Sequence, residues 1–340
     1  DEMRPNVDLS QEPFDRIWVA SDLGIPDWRG WAYCHSIVEL ATAIKPFMLA
    51  HLLKLPECQK AIYLDPDTVA FSRLDDIVKL LDNANIVLTP HQTQPEQTLA
   101  AVMDNEICSL KHGIYNLGFI AVAATEVGRQ FADWWSRRVY HFCRADIPNG
   151  LFTDQRWIDL VPAFFEGVTI MRSSRHNVAT WNLTTRQLGL SASGDYTVDG
   201  EPLGFYHFTG FDSGAHRIMA AKNAGNNSAV HQLVNWYAQQ TEELANEPLA
   251  KEPWAYGFYT DGTPISKEQR LVYRERIDLQ RAFPDPFNAA TYLVWWNTQG
   301  KMEFPDLFEE ATRDMAMGKL SSVLTPGFRG SNQGIDWRKL

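Results

Sequence analysis

An aspartate pair with one proline between its members, Asp65-Pro66-Asp67, closes the apolar run AIYL at residues 61–64. A short buried strand ending there delivers two carboxylates to its C-terminal edge, the edge at which open α/β sheets bind ligands. Carboxylates one residue apart can share a hard divalent cation, directly or through water. They leave part of its octahedral shell to the oxygens of a diphosphate. The pair alone says little, because 24 aspartates placed at random among 340 residues yield about two such pairs. Its position directly after a hydrophobic strand is what singles it out.

Other polar residues sit inside or beside apolar elements. Lys45 lies midway along SIVELATAIKPFMLAHLLKL, and Asn116 and Gly118 interrupt YNLGFIAVA. Asp154-Gln155 precedes RWIDLVP, Asn177 lies in RHNVATWNL, and His207 stands in FYHF. Each has an ordinary structural explanation. An acidic residue in a first helical turn complements the helix dipole, glycine in a strand often marks a bulge, and a single histidine among phenylalanines is commonly a hydrogen-bonded core residue. The chemistry therefore depends on whether the fold gathers these residues.

The elements that must position them alternate. Residues 36–55 read as a helix that Pro46 kinks or splits. Ala61–Leu64, Asn85–Thr89, Tyr115–Ala123 and Val168–Arg172 read as strands, and Arg16–Ala20 as an earlier one. Residues 125–142 form a strong helix candidate with Thr125 as N-cap, and Thr153–Leu160 another helix start. Tyr196–Val198 and Leu203–Phe208, joined through Asp199-Gly200, predict a β-hairpin. Alternating strands and helices predict an α/β architecture with a mainly parallel central sheet and helices on both faces. Residues 213–228 are small and polar and predict a loop, followed by an amphipathic helix at 229–246. Helical pieces at 266–283, 287–298 and 306–318 follow, then a tail, TPGFRGSNQGIDWRKL.

Composition narrows the function. A chain that is 45% hydrophobic builds a packed core rather than a disordered ensemble. Its 31 basic against 42 acidic residues, a net charge of −11, oppose nucleic-acid binding, which rests on neutralising phosphates. Cys34, Cys58, Cys108 and Cys143 form no CxxC pair, so neither a zinc knuckle nor a disulfide framework is expected. The expectation is a cytoplasmic protein, either free or peripheral at the inner face of the membrane.

KPFMLAHLL, YLDPDTVAF, GIYNLGFIAV, GLFTDQRWIDLVP and FYHFTG, in that order, resemble the retaining glycosyltransferases of the GT-A fold. The likeness is to the glycogenin and lipooligosaccharide galactosyltransferase group, family 8, and to related bacterial polysaccharide glycosyltransferases. It covers residues 15–212. The resemblance implies a GT-A catalytic domain over 1–212; the residues that follow read as a loop and helix over 213–250 and a helical extension over 251–340. Asp65, Asp67 and His207 would hold Mn²⁺ or Mg²⁺, with Mn²⁺ favoured by the imidazole. The cation would bridge the phosphates of a nucleotide-diphosphate sugar, most simply a UDP-sugar. Asp154 would bond donor hydroxyls, and the Gln155 carbonyl would face the anomeric carbon. Lys45, Asn116, Gly118 and Asn177 would line the donor pocket. Trp181 is the candidate for stacking on a glycan or lipid-linked saccharide acceptor.

The chain also departs from that pattern. Its first apparent strand corresponds to the family's second, which leaves the nucleotide base unspecified and predicts part of a longer, multidomain protein. GFDSGAHR replaces the usual lysine motif after His207, so His216, Arg217 or Lys222 would supply the phosphate charge. The sequons at Asn182 and Asn226 occur at chance frequency. The expected activity is transfer with retention by a front-face route in cell-surface polysaccharide synthesis. A non-catalytic module that binds nucleotide-sugar or glycan is the alternative. A sugar-phosphate nucleotidyltransferase would need an early glycine-rich phosphate loop, which is absent.

Overall fold

All five residues of Phe119–Ala123 are buried, so this strand is covered on both faces and must lie inside a sheet. In the computed structural model, which describes residue 10 and residues 13–321, it does. The strands are β1 (Lys60–Leu64), β2 (Thr68–Ala70), β3 (Ile86–Leu88), β4 (Phe119–Ala123), β5 (Ala145–Asp146), β6 (Leu151–Phe152), β7 (Val168–Ile170), β8 (Leu188–Leu190), β9 (Tyr196–Val198), β10 (Glu201–Pro202) and β11 (Phe205–His207). The central sheet has the order β1-β4-β3-β7.

This is a mixed α/β architecture, but the sheet is not mainly parallel. β4 pairs antiparallel with both β1 and β3, and only β3 and β7 are parallel. Inferring parallel strands from alternation assumes that each helical segment is a crossover. The helical excursion after β3 is not one. It returns the chain to its starting point, where Asn116 N–H donates to the Thr89 carbonyl, so β4 runs back along β3.

Contacts divide the chain into two compact units. One comprises Leu52–Phe131 and Asp154–Glu252 and contains the central sheet; the other comprises Asp1–His51, Ala132–Thr153 and Pro253–Leu340. In the sheet unit, the helix Asp75–Leu80 supplies Ile77, which packs with Val87, Phe119, Ala121 and Phe205. Each of the larger side chains, Ile77, Val87, Phe119 and Phe205, contributes roughly 1.5–3 kcal/mol on burial. A second cluster joins Tyr206 and Phe208 to Val230, Leu233 and Val234 of the helix Ser228–Leu244.

Several sequence expectations hold in detail. Thr125 caps the helix Glu126–Phe142, its hydroxyl accepting from Gly128 N–H at 3.1 Å and donating to Asn85 at 2.8 Å. Pro46, by contrast, does not split its helix, which runs unbroken over Ile37–Leu52. Others do not hold. Arg16–Ala20 is not a strand; the chain there enters a 3₁₀ turn, Ala20–Leu23, that Gly24 ends at φ +68°. The stretch read as a loop at 213–228 contains the helix Ala215–Ala224, because alanine is the strongest helix former and Ala220 is buried. Asp199 (φ +51°) and Gly200 (φ +86°) do turn β9 into β10. β11, however, leaves that hairpin and pairs with β2.

In the other unit, Tyr33 packs edge-on against Tyr273, Phe287 and Tyr292, and its hydroxyl meets that of Tyr259 at 2.6 Å. Among the described residues after 250 there is no strand. The tail at 325–340 lies outside the described residues. This unit carries a half-open pocket of about 410 Å³ beside Cys34, Glu39, Lys267, Arg270 and Arg274. Its guanidinium groups are already engaged, Arg270 with the Tyr33 and Tyr256 carbonyls and Arg274 with Glu39 and Glu275. Burial pushes the Cys34 thiol far above its ordinary range, which leaves it inert as a nucleophile. No helix among the described residues is long and apolar enough to cross a membrane.

Candidate metal centre

β1 ends at Leu64, and the turn that follows is closed by Thr68 N–H donating to the Asp65 carbonyl at 2.9 Å. The strand's continuation is held from the side, Asp65 N–H donating to the Gly118 carbonyl at 2.9 Å. The turn leads into β2, whose antiparallel pairing sets His207 opposite Thr68. Phe208 N–H donates to the Asp67 carbonyl at 2.8 Å and extends that pairing to the aspartate itself. A strand pair between distant segments thus brings the histidine to the two carboxylates.

His207 Nε2 lies 3.0 Å from Asp67 Oδ1 and 3.9 Å from Asp65 Oδ2. One ligand atom from each of the three residues falls within 4.8 Å of the others. Neighbouring ligands at roughly 2.1–2.2 Å from an octahedral cation stand about 3 Å apart, so a small closure suffices. The imidazole is buried, with a side chain 4% exposed, whereas Asp65 and Asp67 are 22% and 38% exposed. The cluster therefore opens on the carboxylate side, where a substrate oxygen would enter. Tyr63 donates its hydroxyl to Asp65 and orients that carboxylate. Two hard carboxylate oxygens and one imidazole form a set that could hold a divalent cation.

Three buried polar atoms nearby are unpaired. Thr68 Oγ1, Asn177 Oδ1 and Trp181 Nε1 have no hydrogen-bond partner among the described residues. Each such atom costs about 1–3 kcal/mol when unmet. Asn177 is fully buried at φ +54°, a left-handed conformation that asparagine tolerates better than most residues. Its neighbour Val178 bridges Tyr206, and the Trp181 ring stands edge-on to His207 with centroids 5.5 Å apart.

Asn116 and Gly118 also come to His207. Asn116 Oδ1 lies 3.1 Å from His207 Nδ1, and a Cβ on Gly118 would fall 2.3 Å from His207 Cε1. The glycine is needed because the imidazole occupies the space a side chain would take. Asp154 and Gln155 are buried in the same unit. The Gln155 amide ties down the loop before β4, its carbonyl accepting from Leu117 N–H at 2.9 Å and its NH₂ donating to the His112 carbonyl at 3.0 Å. Gln155→Ala should therefore lower stability by about 1–3 kcal/mol, because both backbone groups lose their partner. A chemical-denaturation midpoint equal to the parent's would show that the amide holds nothing.

Lys45 belongs to the other unit, on the helix Ile37–Leu52. The three candidates for phosphate charge are engaged elsewhere. His216 is buried between the Thr209 carbonyl and the Tyr206 hydroxyl, Arg217 lies over the Phe211 ring, and Lys222 pairs with Asp104. Asn182 is fully buried and donates to the His91 and Asn177 carbonyls, which rules out a glycan on its sequon in the folded chain.

The sequence reading missed His91. Its ring stands edge-on to Trp181, and its Nδ1 meets the Ile114 carbonyl at 3.1 Å. Burial lowers its pKa to about 4, and burial does the same for His176, against the opposing pull of Asp76. Both depressed values lie below the ordinary 6.5, so the unfolded chain binds more protons between pH 6.5 and 4. Stability should be full above pH 6.5 and fall by a few kcal/mol as pH drops toward 4. Urea midpoints measured from pH 7.5 to 4.5 check this, and a flat profile would contradict it.

No family model matches the chain, and no solved structure matches it. Two proteins of Bacillus subtilis strain 168 are similar. The uncharacterized protein YfnD is 28% identical over 176 residues, covering 51% of this chain and 54% of its own. The uncharacterized protein YfnF is 26% identical over 181 residues, covering 51% of this chain and 57% of its own. The chain thus spans about half the length of the curated relatives it matches.

Proposed function

We propose that the chain is a metal-dependent glycosyltransferase of the GT-A type, moving a sugar from a nucleotide-diphosphate donor to a glycan acceptor with retention. The observation that carries this reading is the gathering of Asp65, Asp67 and His207 at the end of β1, open on the carboxylate side. The five motifs that resemble family 8 add the reaction class. In this reading Asp65 and Asp67 would hold a divalent cation such as Mn²⁺ from the exposed side and His207 from the buried side, and that cation would supply the charge that offsets a departing diphosphate. Asn177 and Trp181 offer their unmet polar atoms to sugar hydroxyls, and Asp154 bonds the donor sugar. The leaving diphosphate takes the acceptor proton, since no carboxylate is identified as a nucleophile.

The test is a panel of nucleotide-sugars with and without Mn²⁺, read by diphosphate-nucleoside release and by NMR of the fresh product. Metal-dependent turnover with the donor's anomeric configuration kept is the expected result. An inverted product would discard the front-face route. A second reading, binding without turnover, draws on the Gln155 amide, whose two ends are committed to backbone groups. In that case the same panel gives Mn²⁺-dependent donor binding and no release.

A further inference from the structure

We propose that His91 and Asn116 form a relay that fixes the tautomer of His207, so that its Nε2 presents a lone pair toward Asp65 and Asp67. The inference rests on reading those three residues as a cation site. It assigns Asn116 a positioning role distinct from donor-sugar contact.

The proton positions follow from donor and acceptor chemistry alone. The Ile114 carbonyl can only accept, so His91 Nδ1, 3.1 Å away, carries a hydrogen. Burial keeps that ring neutral, which leaves Nε2 bare and able only to accept. Asn116 Nδ2 lies 3.4 Å from His91 Nε2 and donates to it. The amide's orientation is thereby set, and its Oδ1 must face His207 Nδ1, at 3.1 Å. An amide oxygen only accepts, so His207 Nδ1 carries the hydrogen. In the neutral ring Nε2 is then the bare nitrogen, 3.0 Å from Asp67 Oδ1, the spacing of two ligands that share a cation.

The backbone makes this chain of contacts rigid. His91 N–H donates to the Ile114 carbonyl and Asn116 N–H to the Thr89 carbonyl, at 3.0 and 2.9 Å, with a bridge between Pro90 and Tyr115. The segments carrying His91 and Asn116 are thus paired like strands. Asn116 is 5% exposed and His91 8%. A reversed amide would present NH₂ to His207 Nδ1 and favour a proton on Nε2, where the cation must bind. Outer partners of metal-bound imidazoles act in this way, and removing one weakens metal affinity by about 10- to 100-fold.

The test uses the full chain, with Mn²⁺ alone as probe. Asn116→Ala should weaken Mn²⁺ binding, followed by electron paramagnetic resonance, by about 10- to 100-fold. Asn116→Asp keeps an acceptor toward His207 Nδ1 and should bind within about threefold of the parent. His91→Phe keeps the ring contact with Trp181 but removes the acceptor that orients the amide, and should fall between them. With the cation site filled by diamagnetic Mg²⁺, ¹⁵N NMR of the parent should show His207 protonated on Nδ1. Parent-like Mn²⁺ affinity in Asn116→Ala, or a His207 whose Nδ1 carries no hydrogen with Mg²⁺ bound, overturns the relay. Failure of the parent itself to bind Mn²⁺ overturns the cation site on which the relay rests, and turnover of nucleotide-sugars is then judged separately.

Discussion

Asp65→Ala is expected to abolish Mn²⁺-dependent transfer, lowering kcat/KM by at least about a thousandfold, and to weaken Mn²⁺ binding in parallel. The change removes one of two carboxylates from a cluster that has three ligand side chains. A metal ion supplies several kcal/mol of transition-state charge stabilisation, and about 4 kcal/mol is a thousandfold in rate. Donor affinity and turnover should fall together, because in the proposed reading one cation would serve the diphosphate in both the ground state and the transition state. The protein should stay folded, since Asp65 is partly exposed and its backbone bonds to Gly118 and Thr68 need no side chain. Asp195→Ala, in an exposed turn, should change neither quantity. Turnover and Mn²⁺ affinity that persist in Asp65→Ala would remove the aspartate from the centre.

Gly118→Ala is the second large effect, and it acts through space rather than charge. The new methyl would sit 2.3 Å from His207 Cε1, 2.5 Å from its Nδ1 and 2.8 Å from Asn116 Oδ1. Such distances force the imidazole to move. It is almost fully buried and has the Trp181 ring beside it, so it has little room to do so. Overpacking of this kind costs about 1–3 kcal/mol of stability, and displacing the imidazole should lower Mn²⁺ affinity by at least about tenfold. Thermal melts and Mn²⁺ titration of the same sample read both consequences. A variant with unchanged metal affinity would show that His207 is not a ligand, whatever its melting temperature.

Local patterns in this chain were legible wherever a residue's own chemistry decides its conformation. AIYL followed by two aspartates marked the end of β1, and Thr125 marked the start of the helix Glu126–Phe142. Asp199-Gly200 marked the turn between β9 and β10, because both positions need positive φ. Small residues misled where alanine and glycine act differently. The run AHRIMAAKNA folds as a helix because it is rich in alanine, whatever its polarity suggests.

Pairing partners were a different matter. A buried strand such as FIAVA is apolar at every position, so no alternation reveals which neighbour it takes or in which direction it runs. The antiparallel course of β4 follows from where the excursion after β3 returns, and His91 became part of the site only through that return. The separation of the two units followed the same logic, since residues after 252 and the first 51 are grouped by contact and not by chain order. The sequence by itself determined the residue types of the cluster, two carboxylates at a strand end and a histidine in an aromatic run. Only the tertiary structure decided that β11 leaves its hairpin for β2, which sets His207 opposite Thr68 and beside Asp67. Three residues of β11 carry too little pattern to choose that edge; the burial of Phe205 and Tyr206 in separate clusters chooses it for them.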